Sequence, residues 1–230
     1  MIIVCYGMPR SASTYIWQTA FELINNRYHQ YNIKEQLPEE VKADFIYYSH
    51  KAIPILLEHL PDDMIYLVKT HGDFHPDLRK YEDHKQIKVI CCYRNPYDII
   101  QSWTDVVKKE QQKPLHERRE GFAEVECYED VLDRVLRDVK ICRDWLTGLQ
   151  NPLEFPYRIS IRSVVDNIKR LAQFINMDDY DLEMIKSFQS SSGQILEFNK
   201  GLLGRGTPPD SMIYPRHSKV FKDFIDDFNL

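Results

Sequence analysis

The sequence predicts an α/β fold in which a central parallel β-sheet is flanked by helices in a three-layer arrangement. Short apolar runs rich in β-branched residues alternate with longer segments whose apolar residues recur at helical spacing. The first run, residues 2–6, passes through Gly7 and Pro9 into hydroxyl side chains where a helix should begin. Such a strand, loop and helix start is typical of folds that seat a phosphate group on the loop, as in P-loop nucleotide-binding proteins.

The strand and helix candidates alternate along the chain. The strand candidates are residues 2–6, 64–68, 87–93 and 155–161. The helix candidates are 16–26, 53–60, a segment that starts at Asn95, 124–149, 164–175, 182–188 and 220–228. The clearest helix start is the one with Asn95 as N-cap, Pro96 as the first helical residue and Asp98 in the first turn. Because helices separate the strands, the sheet is expected to be parallel.

Length, composition and charge indicate one globular domain over residues 1–230. Hydrophobic residues make up 43% of the chain and charged residues 28%, while the net charge is −5. This balance does not indicate a nucleic-acid partner, and no apolar run or signal peptide indicates a membrane, so a cytoplasmic protein is expected. The mixed-charge run at 108–120 predicts a solvated loop, and residues 105–125 are expected to act as a mobile lid or acceptor loop.

The first loop has the frame of a phosphate loop without its usual lysine. From Gly7 to Thr14 it spans the pattern G-x-x-x-x-G-K-[ST], but only its two ends match. Ala12 takes the place of the second glycine and Ser13 that of the lysine, while the positive charge lies at Arg10. A loop of this kind is suited to an anion, although an enzyme that handles a magnesium-bound triphosphate needs the missing lysine.

Cationic side chains are predicted at three strand ends. Arg10 follows the first strand, Lys69 and His71 follow the second, and Arg94 follows the third. Because ligands of open parallel sheets bind beyond the carboxyl ends of the strands, these side chains should converge. Together they predict a ligand with two or more anionic groups, gripped from several sides.

Three motifs resemble those of the sulfotransferases that use 3′-phosphoadenosine 5′-phosphosulfate (PAPS). Residues 9–15, P-R-S-A-S-T-Y, look like the family's 5′-phosphosulfate loop, commonly P-K-S-G-T-T-W. Residues 69–71 match the K-T-H of its cytosolic branch. Residues 94–98 with Ser102 match R-x-P-x-D-x-x-x-S, whose Arg and Ser hold the 3′-phosphate in the family.

Two further positions support the resemblance less completely. Tyr157 stands where the family has the Tyr of its Y-E-D motif, and Lys200-Gly201 is similar to the end of its R-K-G loop. Asn199 replaces the Arg of that loop, so Arg205 is a substitute candidate. The cofactor-binding residues that the resemblance implies are Arg10, Ser11, Ala12, Ser13, Thr14, Tyr15, Arg94, Ser102, Tyr157, Lys200 and Gly201.

The resemblance implies sulfuryl transfer from PAPS to a hydroxyl acceptor, a small molecule or a carbohydrate, with 3′-phosphoadenosine 5′-phosphate (PAP) as product. His71 is the implied general base for in-line attack, because a neutral imidazole suits proton removal near pH 7. Arg10 and Lys69 are the implied catalytic cations, since charge develops on the oxygen of the leaving phosphate. No metal ion is expected to be required.

Two other functions remain open at this stage. A small-molecule kinase on the same loop architecture predicts turnover of ATP with Mg²⁺, and Ser13 in place of the lysine argues against it. A non-catalytic nucleotide-binding module predicts PAP binding without transfer, and the K-T-H of residues 69–71 argues against that. The sequence predicts neither the identity of the acceptor nor the oligomeric state.

Overall fold

The computed structural model describes residues 1–25, 52–59, 65–177, 179–183 and 203–230. Its centre is a four-stranded sheet with the strand order β2-β1-β3-β4, in which every pairing is parallel. The strands are β1 (Ile2–Gly7), β2 (Tyr66–Thr70), β3 (Ile87–Tyr93) and β4 (Leu153–Pro156). The predicted α/β class with a parallel central sheet is therefore confirmed.

Nine helices surround the sheet in the described residues. They are α1 (Ser13–Asn25), α2 (Ala52–His59), α3 (Asp77–Asp83), α4 (Pro96–Gln111), α5 (Glu120–Ala123), α6 (Tyr128–Gly148), α7 (Tyr157–Ser160), α8 (Val164–Ile175) and α9 (Pro215–Phe228). A 3-10 turn at Leu115–Glu117 lies between α4 and α5. No helix within the described ranges is both long enough and apolar enough to cross a membrane.

Two hydrophobic layers cover the two faces of the sheet. On one face, Ile2, Val4 and Tyr6 of β1 pack with side chains of α4, α6 and α9. On the other face, Ile3 and Cys5 pack with side chains of α1 and α8. All six residues of β1 are buried, which explains why its sequence is continuously apolar rather than alternating. The result is the predicted three-layer arrangement.

The fourth strand is shorter than the predicted 155–161. Strand β4 ends at Pro156, and Tyr157 begins the short helix α7. Proline has no backbone N–H to donate to the ladder, so pairing with β3 stops there. The prediction that Tyr157 lies within a strand is therefore wrong, and its side chain is presented from the first turn of a helix.

The segment 108–120 is more ordered than a solvated loop. Helix α4 continues to Gln111, and the side chain of Glu110 is buried. Its carboxylate accepts hydrogen bonds from Lys113 Nζ at 2.9 Å and from Arg119 Nε at 3.2 Å. The carboxylate therefore binds two of the basic side chains of this run, which the sequence pattern alone does not indicate.

Other predicted boundaries differ by a few residues. Strand β2 runs from Tyr66 to Thr70, so Lys69 lies inside the strand and only His71 follows it. Helix α6 begins at Tyr128 because the Asp130 carboxylate accepts from the N–H groups of residues 126 and 127. The candidate helix at 182–188 lies largely outside the described residues.

Candidate active site

The loop between β1 and α1 is tightly curled. Arg10 has φ 70° and Ala12 has φ 65°, both in the left-handed region that residues with a Cβ seldom adopt. Gly7 permits a close approach at the same place, because a Cβ there would lie 2.1 Å from the Cβ of Ser13. The loop therefore wraps around a point in front of the first turn of α1, where N–H groups have no partner within the helix.

Ser11 holds this loop against the sheet. Its hydroxyl lies 2.6 Å from the carbonyl oxygen of Met8 and 3.1 Å from that of Cys92, and the side chain is fully buried. Its N–H group donates to the Met8 carbonyl as well. The Ser11 side chain therefore shapes the anion-binding loop from within.

Lys69 reaches the loop from the neighbouring strand. Its Nζ donates to Thr14 Oγ1 at 2.6 Å, and the lysine side chain is buried at the carboxyl end of β2. Strands β1 and β2 are parallel and in register at Cys5 and Lys69, which is why the two ends coincide. A buried ammonium group beside a helix start is a strong attractor for an anion.

Arg94 approaches the loop from the other side, at the end of β3. It is buried, and its Nη1 donates to the Arg10 carbonyl at 3.4 Å. Its guanidinium lies 3.8 Å from the ring centroid of Tyr157 and 3.6 Å from the Asp98 carboxylate. Burial lowers the pKa of Arg94, and the neighbouring Tyr157 and Asp98 oppose that shift. Ser102 completes the group, because its Oγ accepts from Arg10 Nε at 3.1 Å.

Asp98 connects this group to a segment more than one hundred residues away. Its carboxylate accepts from the N–H groups of Gly204 at 3.1 Å, Arg205 at 2.7 Å and Gly206 at 3.0 Å. The Arg205 guanidinium in turn donates to the Asp105 carboxylate. Asp98 was predicted only as a residue of the helix start. The sequence carries no local signal for its hydrogen bonds to residues 204–206.

His71 lies directly after β2, with its ring against the loop. Its Nδ1 is hydrogen-bonded to the carbonyl oxygen of Gly7. A carbonyl only accepts, so Nδ1 carries the proton and Nε2 is the basic nitrogen of the neutral ring. The chain beyond His71 is held by Trp145, whose Nε1 donates to the Gly72 carbonyl at 2.9 Å.

His71 opens onto a cleft of about 530 Å³. The residues that line it are Pro9, His71, Asp73, Trp103, Gly121, Arg134, Arg137, Asp138 and Ile141. Asp138 is buried, and burial raises the pKa of its carboxyl to about 7 although Arg137 and Arg134 lower it. The sequence motifs predict no role in the site for Asp138 or for the arginines of its helix.

The structure brings together most of the residues that the sequence predicted. Arg10, Lys69, Arg94 and Ser102 surround the loop, and His71 borders it. Three predicted members are not part of this group: the Tyr15 ring packs in the hydrophobic layer that contains Ile3 and Cys5 of β1, and Lys200 and Gly201 fall outside the described residues. Across the described parts of the chain, no cluster of three or more His, Cys, Asp or Glu side chains is placed to hold a metal ion.

The donor set fits a ligand that carries two separated anionic groups. One side offers the start of α1 with Lys69, and the other offers the guanidinium of Arg94 with the segment that Asp98 holds. Tyr157 places a buried aromatic face beside Arg94. A basic imidazole nitrogen at the edge of such a site can remove a proton from an incoming nucleophile.

Comparison with solved structures identifies the fold. Retinol dehydratase in a complex with retinol and PAP is 14% identical, with a TM-score of 0.53, covering 98% of this chain and 81% of that one. The same enzyme with androsterone and PAP is 15% identical, with the same coverage and TM-score. Mouse sulfotransferase SULT7A1 complexed with PAP is 18% identical, with a TM-score of 0.51, covering 98% of this chain and 83% of that one. No protein-family model matches the chain, and no curated protein matches it in sequence.

Proposed function

We propose that this chain, which has the fold of the PAP-bound sulfotransferases, transfers a sulfuryl group from PAPS to an acceptor hydroxyl. The observation that carries the proposal is the convergence of Arg10, Lys69 and Arg94 on one curled loop, with His71 hydrogen-bonded across that loop at Gly7. Each cation comes from a different strand end, so the arrangement depends on the fold and not on a single sequence motif.

The two ends of the nucleotide would be held by different parts of the site. The start of α1 and Lys69 would hold the 5′-phosphosulfate, because they combine a helix N-terminus with a buried ammonium group. Arg94, Ser102 and Arg205 would hold the 3′-phosphate, with Arg94 able to form a bidentate pair. Lys200-Gly201 is proposed to contribute to the same end.

PAPS supplies the sulfuryl group when it is bound. His71 would accept the acceptor's hydroxyl proton on Nε2, because the hydrogen bond to Gly7 keeps the proton of the neutral ring on Nδ1. Arg10 and Lys69 would stabilise the charge that develops on the leaving phosphate oxygen as the new S–O bond forms and the old one breaks. We also propose that transfer continues in the presence of EDTA, since Ser13 occupies the position of the phosphate-loop lysine.

Residues 105–125 are proposed as the acceptor loop. Gly121 lies in this segment and lines the cleft beside His71. The Arg134 guanidinium donates to the Gly121 carbonyl, so α6 holds the segment in place. A hydroxyl compound entering the cleft would therefore lie between α5 and α6, within reach of the imidazole.

The test is a thermal-shift titration with PAP, 5′-AMP and Mg·ATP. A ligand present at one hundred times its Kd stabilises the native state by about 2.7 kcal/mol, which raises Tm by roughly 5–10 °C for a chain of this size. We expect that shift for PAP and a much smaller one for 5′-AMP. A shift with Mg·ATP and none with PAP would overturn the proposal in favour of a kinase, whereas PAP binding without transfer to any acceptor would indicate a binding module.

A further inference from the structure

We infer that Trp145 of α6 is a positioning residue for the general base, because it holds both sides of the contact between His71 and Gly7. The inference rests on the proposed function, in which His71 takes the proton of the acceptor. Trp145 is only 2% exposed, so it acts through its neighbours and does not touch the acceptor.

Trp145 holds the chain that follows His71 by a hydrogen bond. Its Nε1 donates to the carbonyl oxygen of Gly72 at 2.9 Å. The N–H of Gly72 donates to Thr70 Oγ1 at 3.0 Å, so both backbone polar groups of this residue are bound. Gly72 is exposed and has the conformational freedom of a glycine, so these two bonds restrict the backbone next to the imidazole.

Trp145 holds the strand that leads to Gly7 by ring packing. Its indole stacks on Tyr6 of β1, with ring centroids 4.9 Å apart and an interplanar angle of 14°. Tyr6 precedes Gly7, whose carbonyl oxygen accepts from His71 Nδ1. Because both stacked rings are buried, they fix the end of β1 against α6, and with it the place of that carbonyl oxygen.

Phe74 restricts the indole from a further side. The Phe74 ring meets the Trp145 ring edge-on, with centroids 5.4 Å apart and an interplanar angle of 72°. Helix α6 passes so close to Phe74 that a Cβ at Gly148 would clash with its ring. The indole is therefore packed against both of the segments that it aligns, the end of β1 and the chain after His71.

This packing bears on the chemistry because a neutral imidazole has two tautomers. The hydrogen bond to Gly7 keeps the proton of His71 on Nδ1 and leaves Nε2 as the basic nitrogen. When that contact opens, either nitrogen can carry the proton, and part of the protein presents an N–H group to the acceptor instead of a base. Loss of the Trp145 hydrogen bond should therefore slow proton removal without weakening the binding of the nucleotide.

The experiment compares Trp145→Phe with the wild type. Phenylalanine keeps an aromatic ring against Tyr6 and removes the N–H that binds the Gly72 carbonyl. The matched control is Trp17→Phe on α1, since the indole N–H of Trp17 has no acceptor among the described residues. His71→Asn is made alone and together with Trp145→Phe. PAP thermal shifts on every protein assess folding and nucleotide binding separately from turnover.

The first readout is kinetic, with PAPS and the faster acceptor of 2-naphthol and methyl β-galactopyranoside. We expect Trp145→Phe to lower kcat roughly tenfold, because one hydrogen bond is lost, while KM for PAPS stays within about twofold. In the His71→Asn background the same change should lower kcat by no more than about twofold, since the residue on which Trp145 acts is gone. Trp17→Phe should keep the wild-type kcat.

The second readout is the tautomer of His71, from the nitrogen chemical shifts of its ring in alkaline buffer. The His71 signals are identified by their absence in His71→Asn. The wild type and Trp17→Phe should show the form protonated on Nδ1, and Trp145→Phe should show an increased fraction protonated on Nε2. This measurement needs neither PAPS nor an acceptor.

A second variant, Phe74→Leu, removes the edge contact with the indole at a half-buried position. It should change the tautomer of His71 in the same direction, and it takes the place of Trp145→Phe if that protein does not fold.

Three results would overturn the inference. They are an unchanged tautomer in the variant, an unchanged kcat, and a loss of kcat that is equally large in the His71→Asn background. An equal loss would mean that Trp145 supports the fold and does not act through His71. Absence of a PAP shift in the wild type would instead remove the proposed function, and the tautomer would still decide whether Trp145 positions the imidazole.

Discussion

Replacing Asp138 with Asn should make the stability of the protein less dependent on pH. The carboxyl is buried on α6 without a hydrogen-bond partner for Oδ2 among the described residues. Burial raises its pKa from 3.8 to about 7, against the opposing effect of Arg137 and Arg134. Between those two pH values the folded chain keeps a proton that the unfolded chain has lost, so the free energy of unfolding falls as the pH rises.

The expected magnitude follows from the pKa difference. A pKa raised from 3.8 to about 7 corresponds to about 4 kcal/mol of stability lost between low and high pH. The part that falls between pH 5 and pH 8 is about 3 kcal/mol, because the loss is complete once the pH passes the folded-state pKa. Asn cannot ionise, so Asp138→Asn removes this contribution and leaves only the burial of a neutral amide.

The assay is urea unfolding at pH 5 and pH 8 on the wild type, Asp138→Asn and Asp144→Asn. Other groups, the histidines included, titrate in this interval, so the informative quantity is the difference between proteins. The wild type and the exposed control should lose about 3 kcal/mol more than Asp138→Asn between the two pH values. Equal losses in all three proteins would refute the assignment of a raised pKa to this buried carboxyl.

Three further changes test the site and the segment 204–206 that is hydrogen-bonded to Asp98. His71→Asn keeps a donor for the carbonyl of Gly7 but removes the base, so we expect near wild-type PAP affinity with turnover reduced about 10²–10⁴-fold, and His84→Asn serves as the exposed control. Arg94→Lys keeps the positive charge but loses the two parallel N–H donors of the guanidinium. The Kd for PAP should therefore rise roughly tenfold or more, while the Kd for 5′-AMP changes little. Gly206→Ala places a Cβ 1.9 Å from a carbonyl oxygen of α4, so it should lower the free energy of unfolding by about 1–3 kcal/mol, whereas Gly121→Ala, with open space at its Cβ, should not.

Each of these predictions has an outcome that contradicts it. Turnover of His71→Asn within a few-fold of the wild type would mean that another group takes the proton. If Arg94→Lys weakened the binding of PAP and of 5′-AMP equally, Arg94 would not bind the 3′-phosphate. If urea unfolding showed Gly206→Ala to be as stable as the wild type, residues 204–206 would be able to move away from α4 without lowering the free energy of unfolding.

Local structure near the site could be predicted because it depends on neighbours in the sequence. The start of α4 is an example: Asn95 Oδ1 accepts from the N–H of Tyr97 at 2.9 Å, and Pro96 follows as the first helical residue, as expected. Strand β3 occupies the predicted residues 87–93, since an apolar run interrupted only by Lys88 suits a strand buried on both faces. The convergence of the three cation-bearing strand ends then followed from the parallel order of the strands.

The partners of acidic side chains could not be predicted in the same way. Asp98 has the appearance of an ordinary first-turn residue, yet it binds three N–H groups of residues 204–206. Asp138 lies three residues after Val135 and four before Cys142, so the helical spacing places it on the apolar face, but that spacing does not indicate that its carboxyl borders a cleft. Their environments depend on contacts between residues far apart in the chain.

By itself, the sequence determined the alternation of strands and helices, the hydroxyl-rich loop after β1 and the cations at the strand ends, because hydrophobic periodicity and capping act over a few residues. Only the tertiary structure decided that Lys69 bonds Thr14, that Arg94 lies on Tyr157 and that Asp138 borders the cleft. These features depend on the parallel packing of β1, β2 and β3 and on the helices laid across them, since burial and charge pairing arise where separate elements meet.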